Sequence, residues 1–117
     1  MADVAMIVQH VPYGTVNAAE AVRHALGAVV NELSVDMLLV DGGVLLAKKG
    51  QDAADTGLTG LEETLRDCLD MGIPVYADES SLLSQRLTRD DLVEGVQTAS
   101  GEDIAGIIKS ARSTILF

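Results

Sequence analysis

One cysteine, two histidines and a scatter of carboxylates are the side chains here with the most chemistry to offer. Cys68 follows Leu61 and Leu65 at helical spacing, in the last turn before Gly72, with Asp67 and Asp70 beside it. A helix C-terminus and neighbouring carboxylates both disfavour a thiolate, so Cys68 reads as a packed small hydrophobe rather than a nucleophile. His10 stands directly after a short apolar run, where a loop can carry a general base. Base chemistry would need an orienting carboxylate within hydrogen-bond reach, which Asp41 or Asp78 could supply. The plainer reading is a loop histidine bonded to backbone. His24 lies inside a helical pattern, between its apolar positions, and reads as surface or boundary. Cys68, His10 and His24 are too few for a structural zinc site, and no carboxylate–histidine spacing suggests another metal. Neither Gly-x-G-x-x-Gly nor the phosphate-loop pattern occurs, so neither a metal nor a cofactor is expected.

Positioning these residues falls to two alternating hydrophobic periods. Val4–Val8, Val35–Val40 and Ile73–Ala77 are short, nearly continuous apolar runs, the pattern of strands buried on both faces. Between the first two, Asn17-Ala-Ala-Glu20 has capping-box spacing and opens a helix with Val22, Leu26, Val29 and Leu33 on one stripe. Thr59-Gly-Leu-Glu62 repeats the box before a second helix, whose apolar face is Leu58, Leu61, Leu65, Cys68 and Leu69. Gly72 supplies a left-handed end to it. Lys48–Thr56 is the most loop-like stretch. Ser80–Arg86 predicts a short helix, Thr88-Arg-Asp-Asp91 a third cap and Val93–Thr98 a fourth strand weakened by Gly95. Ser100-Gly-Glu-Asp103 starts a final helix, and Thr114–Phe117 closes as a strand. Strands alternating with helices predict a three-layer αβα fold with a mostly parallel sheet of about five strands, one domain over residues 1–117.

In such sheets ligands bind outside the carboxyl ends of the strands, which selects three loops. The first holds His10, Tyr13, Gly14 and Thr15; the second Asp41, Gly42 and Gly43; the third Asp78, Glu79, Ser80 and Ser81, of which Asp78 and Ser80 are the candidates. The first precedes a helix N-terminus, whose free amides attract anions, although Pro12-Tyr-Gly-Thr also serves as a plain turn. With adjacent strands the loops form one rim, a candidate ligand site.

Composition removes other classes. Eighteen acids against eight bases give a formal charge of −10, against the clustered Lys and Arg of a nucleic-acid binder. Two tyrosines and one phenylalanine are too few for base-stacking platforms. One cysteine excludes a disulfide framework. No apolar stretch approaches the ~20 residues of a membrane helix, and Met-Ala-Asp-Val lacks the basic region of a signal segment. A cytoplasmic protein with no membrane contact is the expectation.

The run ending in His10-Val-Pro-Tyr-Gly-Thr15, the second strand with Asp41-Gly-Gly-Val44, and Gly72-Ile-Pro-Val-Tyr76 resemble the DsrE/DsrF/TusC sulfur-relay superfamily. The closing Ala111-Arg-Ser-Thr-Ile-Leu-Phe117 is similar to the terminal strand of those proteins. The resemblance covers nearly the whole chain. It implies a compact α/β fold and assembly as a homo-oligomer or as a hetero-oligomer with a homologous sulfur-carrying subunit. Members that carry sulfur hold it on a cysteine just past the third strand, a place that aligns with Asp78, or Ala77 if the register slips by one. Cys68 lies one helix earlier. The resemblance therefore implies an accessory or oligomeric component of intracellular sulfur relay, closest in type to the DsrF/TusC-like subunits without that cysteine. The alternative from the residues themselves is a small-molecule binding module, or a weak acid/base enzyme, using the rim.

Overall fold

The computed structural model describes residues 2–10, 17–50 and 61–117. Strands β1 (Val4–Val8), β2 (Val35–Leu39), β3 (Val75–Asp78), β4 (Gln97–Ala99) and β5 (Ser113–Leu116) form one sheet in the order β4-β3-β2-β1-β5. Every pairing within it is parallel, with Met6 beside Met37 and Ile115, and Met37 beside Val75. The helices are α1 (Asn17–Val30), α2 (Leu61–Asp70), α3 (Glu79–Ser84) and α4 (Gly101–Ser110).

Strand alternation sorts the apolar runs onto two faces. Met6, Val8, Met37, Leu39, Val75 and Ala77 point one way, into a core closed by α1, α2 and α3. Ala5, Ile7 and Leu38 point the other way, under α4 and its Ile104. One helix suffices there because the chain must cross from β4, at one edge, to β5 at the opposite edge. This is the three-layer parallel architecture expected from the sequence.

Several boundaries moved for local reasons. Helix α1 stops at Val30, because Glu32 takes a left-handed conformation (φ 64°) and the Leu33 N–H bonds back to the Ala28 carbonyl. Leu33 therefore leaves the helical stripe and is exposed, while the buried face is Ala21, Val22 and Ala25. The fourth strand is only Gln97–Ala99. Gly95 (φ 103°) turns the chain, and Val93 instead packs in the larger core, its N–H bonded to the Ala47 carbonyl. The segment Asp41–Ala47, read as the start of a loop, is a 3₁₀ helix that buries Val44 and Leu46. Gly72 (φ 85°) ends α2 as expected, and Ser100 Oγ caps α4 by accepting from the Asp103 N–H (3.1 Å). At Thr88 the third cap forms: the Asp91 carboxylate accepts from the Thr88 N–H (2.8 Å). The capping readings at Asn17 and Thr59 fall outside the described side chains. Among the described residues no helix is long and apolar enough to cross a membrane.

Candidate functional site

Because β3, β2 and β1 are neighbours, the loops that follow them stand side by side at one edge of the sheet. After β1, the Gln9 N–H donates to the Phe117 carbonyl (3.0 Å), which ties this loop to the last residue of the chain. His10 follows and is exposed. Tyr13, Gly14 and Thr15 lie outside the described residues.

After β2, the Val40 N–H donates to the Val8 carbonyl (3.0 Å) and the chain turns sharply at Asp41, whose φ of 50° is left-handed. Asp41 is exposed, whereas Gly42 and Gly43 are buried. Glycine at 43 is a steric necessity: a Cβ there would stand 1.9 Å from the Val8 carbonyl oxygen. The second loop is thus pressed against the end of β1.

After β3, Asp78 and Ser81 are buried, at 8% and 5% exposure. Asp78 Oδ2 accepts from the Ser81 N–H (3.1 Å), the Ser81 hydroxyl (2.6 Å) and the Ser80 hydroxyl (3.0 Å), so it caps α3. The Ser81 hydroxyl in turn accepts from the Asp41 N–H (2.8 Å). One serine therefore joins the second loop to the third, satisfying a donor on one side and an acceptor on the other.

Four predicted site residues (Asp41, Gly43, Asp78 and Ser80) meet in this hydrogen-bonded and packed edge. Gly42 lies within it, and His10 is adjacent without a hydrogen bond to Asp41 or Asp78 among the described contacts. Ser81, which the sequence places in the third loop but not among the chosen candidates, where Ser80 stands, is the joint. Its signal was the spacing Asp-x-x-Ser, which puts a hydroxyl at the third position after an N-cap aspartate.

Chemically, the edge offers an exposed imidazole, an exposed carboxylate and a buried carboxylate already committed to three donors. It offers no thiol. Cys68 sits fully buried on α2. Burial, with a smaller contribution from the Asp67 carboxylate, pushes the Cys68 thiol up to about 11. No cluster of three metal-ligating side chains occurs among the described residues.

The comparisons with known proteins agree on one kind of molecule. The DsrE/DsrF-like family model matches residues 2–117. The intracellular sulfur oxidation protein DsrF of Allochromatium vinosum is 36% identical over 107 residues, 86% of this chain and 79% of that protein. An uncharacterised protein of Methanopyrus kandleri is 31% identical over 114 residues, covering 97% of this chain and 93% of the relative. Among solved structures, the ychN protein of E. coli superposes with a TM-score of 0.90 over 100% of both chains at 18% identity, a likeness of fold.

Proposed function

Since this chain belongs to the DsrE/DsrF-like family, we propose that it is an accessory, oligomer-forming component of intracellular sulfur relay that carries no sulfur itself. The observation behind this reading is the chemistry at the end of β3. Where the resemblance places a sulfur-carrying cysteine stands Asp78, a buried carboxylate holding α3 through three hydrogen bonds. The one thiol, Cys68, is enclosed in the core and held largely protonated at neutral pH. A persulfide carrier needs an accessible thiolate, and neither position offers one. Activity would then depend on a homologous subunit that supplies the thiol, assembled with this chain in the cytoplasm. The relative from A. vinosum, named for intracellular sulfur oxidation, supports the same direction.

Treatment of the native protein with a persulfide donor, followed by intact-mass measurement, tests this. The expected result is no added sulfur on Cys68, together with affinity co-purification of a cysteine-bearing homologue from the native cell. A persulfide on Cys68 overturns the reading. Asp78→Cys tests the alignment itself: the new thiol should react with iodoacetamide faster than Cys68 in the same molecule. Equal rates would mean that this loop does not correspond to the family's sulfur-carrying loop.

A further inference from the structure

Among the described residues β5 ends the sheet, and its hydrogen bonds show which of its groups are unused. The Ser113 N–H donates to the Asp3 carbonyl (3.0 Å) and the Phe117 N–H to the Ile7 carbonyl (2.8 Å). The Phe117 carbonyl accepts from the Gln9 N–H (3.0 Å). Successive residues of a strand direct their peptide groups to opposite sides, so the odd positions face β1 and Thr114 and Leu116 face outward. All four residues of β5 are exposed, Ile115 by 43% and Leu116 by 63%. Soluble proteins guard such edges with charges, prolines or bulges, and Ser113–Leu116 has no charge and no proline. The opposite edge is different. Strand β4 is three residues long, and the Arg89 guanidinium donates to Thr98 Oγ1 (2.9 Å).

We propose that a second copy of this chain pairs antiparallel along β5, about a two-fold axis through Ile115. Two considerations select that register. A two-fold axis perpendicular to the sheet places one residue opposite its own copy. Thr114 and Leu116 carry the outward peptide groups, and an axis at Ile115 uses both of them, pairing Thr114 of one copy with Leu116 of the other, whereas an axis at Thr114 or Leu116 uses the groups of one only. Ile115 then faces Ile115 at the non-hydrogen-bonded position, where Cα atoms approach to about 4.5 Å and side chains meet. Charge selects the same place. Two chains of −10 repel wherever their acids meet, yet no acidic residue follows Asp103. Lys109 and Arg112 are the charged residues of that segment, the nearest acid, Asp3, is paired with Arg112 at 3.7 Å, and this register sets the two Arg112 side chains about 20 Å apart along the ribbon. The pairing deepens the oligomeric part of the reading above and uses none of its sulfur chemistry, so the two fail separately.

Ile115→Cys under mild oxidation with oxidised glutathione should give a covalent dimer of twice 12.3 kDa as the major species. Ser113→Cys, whose copies lie about 13 Å apart in this register, should give little. The buried Cys68 can stay in place. Thr114→Pro and Leu116→Pro remove only outward amides, so each should keep the native circular dichroism. Each should also weaken self-association at least tenfold in sedimentation. A dimer no more abundant from Ile115→Cys than from Ser113→Cys overturns the proposal. So does unchanged association in both proline variants, or a cross-link from Ile115→Cys that captures only a different chain.

Discussion

Both ends of the sheet are fastened by the same small device, a serine hydroxyl that accepts a backbone N–H while donating to an aspartate. At the carboxyl end the hydroxyl is Ser81's, the N–H is Asp41's and the acceptor is Asp78 Oδ2. At the amino end Ser34 Oγ accepts from the Asp3 N–H (2.9 Å) and donates to Asp3 Oδ2 (3.2 Å). The Ser34 N–H adds a second bond to the same carboxylate (2.9 Å), and Arg112 stands 3.7 Å from its other oxygen. The difference is burial. Asp78 and Ser81 are closed off, whereas Ser34 is exposed and the Arg112 side chain is 75% exposed. Water can replace a lost partner at the amino end but not at the carboxyl end, so one arrangement is replaceable trim and the other holds the candidate site in shape.

The strongest way to break the carboxyl end is Gly43→Ala. Its methyl would overlap a backbone oxygen that has no room to move, and the loss should be about 3 kcal/mol or more by chemical denaturation. Ser81→Ala comes next, at about 2 kcal/mol, because it leaves a buried carboxylate and the Asp41 N–H each short of a partner. Asp78→Ala should cost about 1–2 kcal/mol as a lost cap, and the double variant less than the sum, since both changes cut one network. A full additive loss would show that the two residues act independently.

Cys68→Ala should cost about 1–2 kcal/mol through the cavity it leaves, and Cys68 in the native protein should alkylate slowly until denaturant is added. Rapid labelling would show that α2 exposes the thiol. Ser34→Ala, at the amino end, should cost only about 0.5 kcal/mol.

The smallest effect is a slope rather than a step. The Ser34 N–H, then its hydroxyl and lastly Arg112 hold the Asp3 carboxyl below the usual carboxylate range. A carboxyl depressed in the folded state stabilises above its unfolded value and loses that contribution as pH falls through the folded one. The Thr88 N–H and hydroxyl depress Asp91 in the same sense. Asp3→Asn should therefore lower the neutral plateau slightly and flatten the acid limb, so that the two curves converge at low pH. An acid limb as steep as wild type would show that Asp3 contributes nothing to it.

Apolar period and cap chemistry are local properties, and they determined much of this protein from the sequence. Val4–Val8 and Val35–Leu39 had to be buried strands, and Ser100 and Thr88 had to begin their elements, because each signal is complete within a few residues. The net charge of −10 and a cysteine set among carboxylates likewise settled what the surface repels and what the thiol does. Tertiary structure alone decided the rest. Whether Asp78 was a rim carboxylate or a cap depended on Ser81 and Asp41 meeting across 40 residues of chain. The 3₁₀ turn at Asp41–Ala47 was hidden for the same reason: Gly43 is needed only because the Val8 carbonyl lies against it. The exposed edge of β5 follows from strand order, which no spacing within Ser113–Leu116 encodes. A short peptide can fix its own hydrogen-bond partners one turn away, but contacts between distant segments exist only once the sheet has ordered its strands.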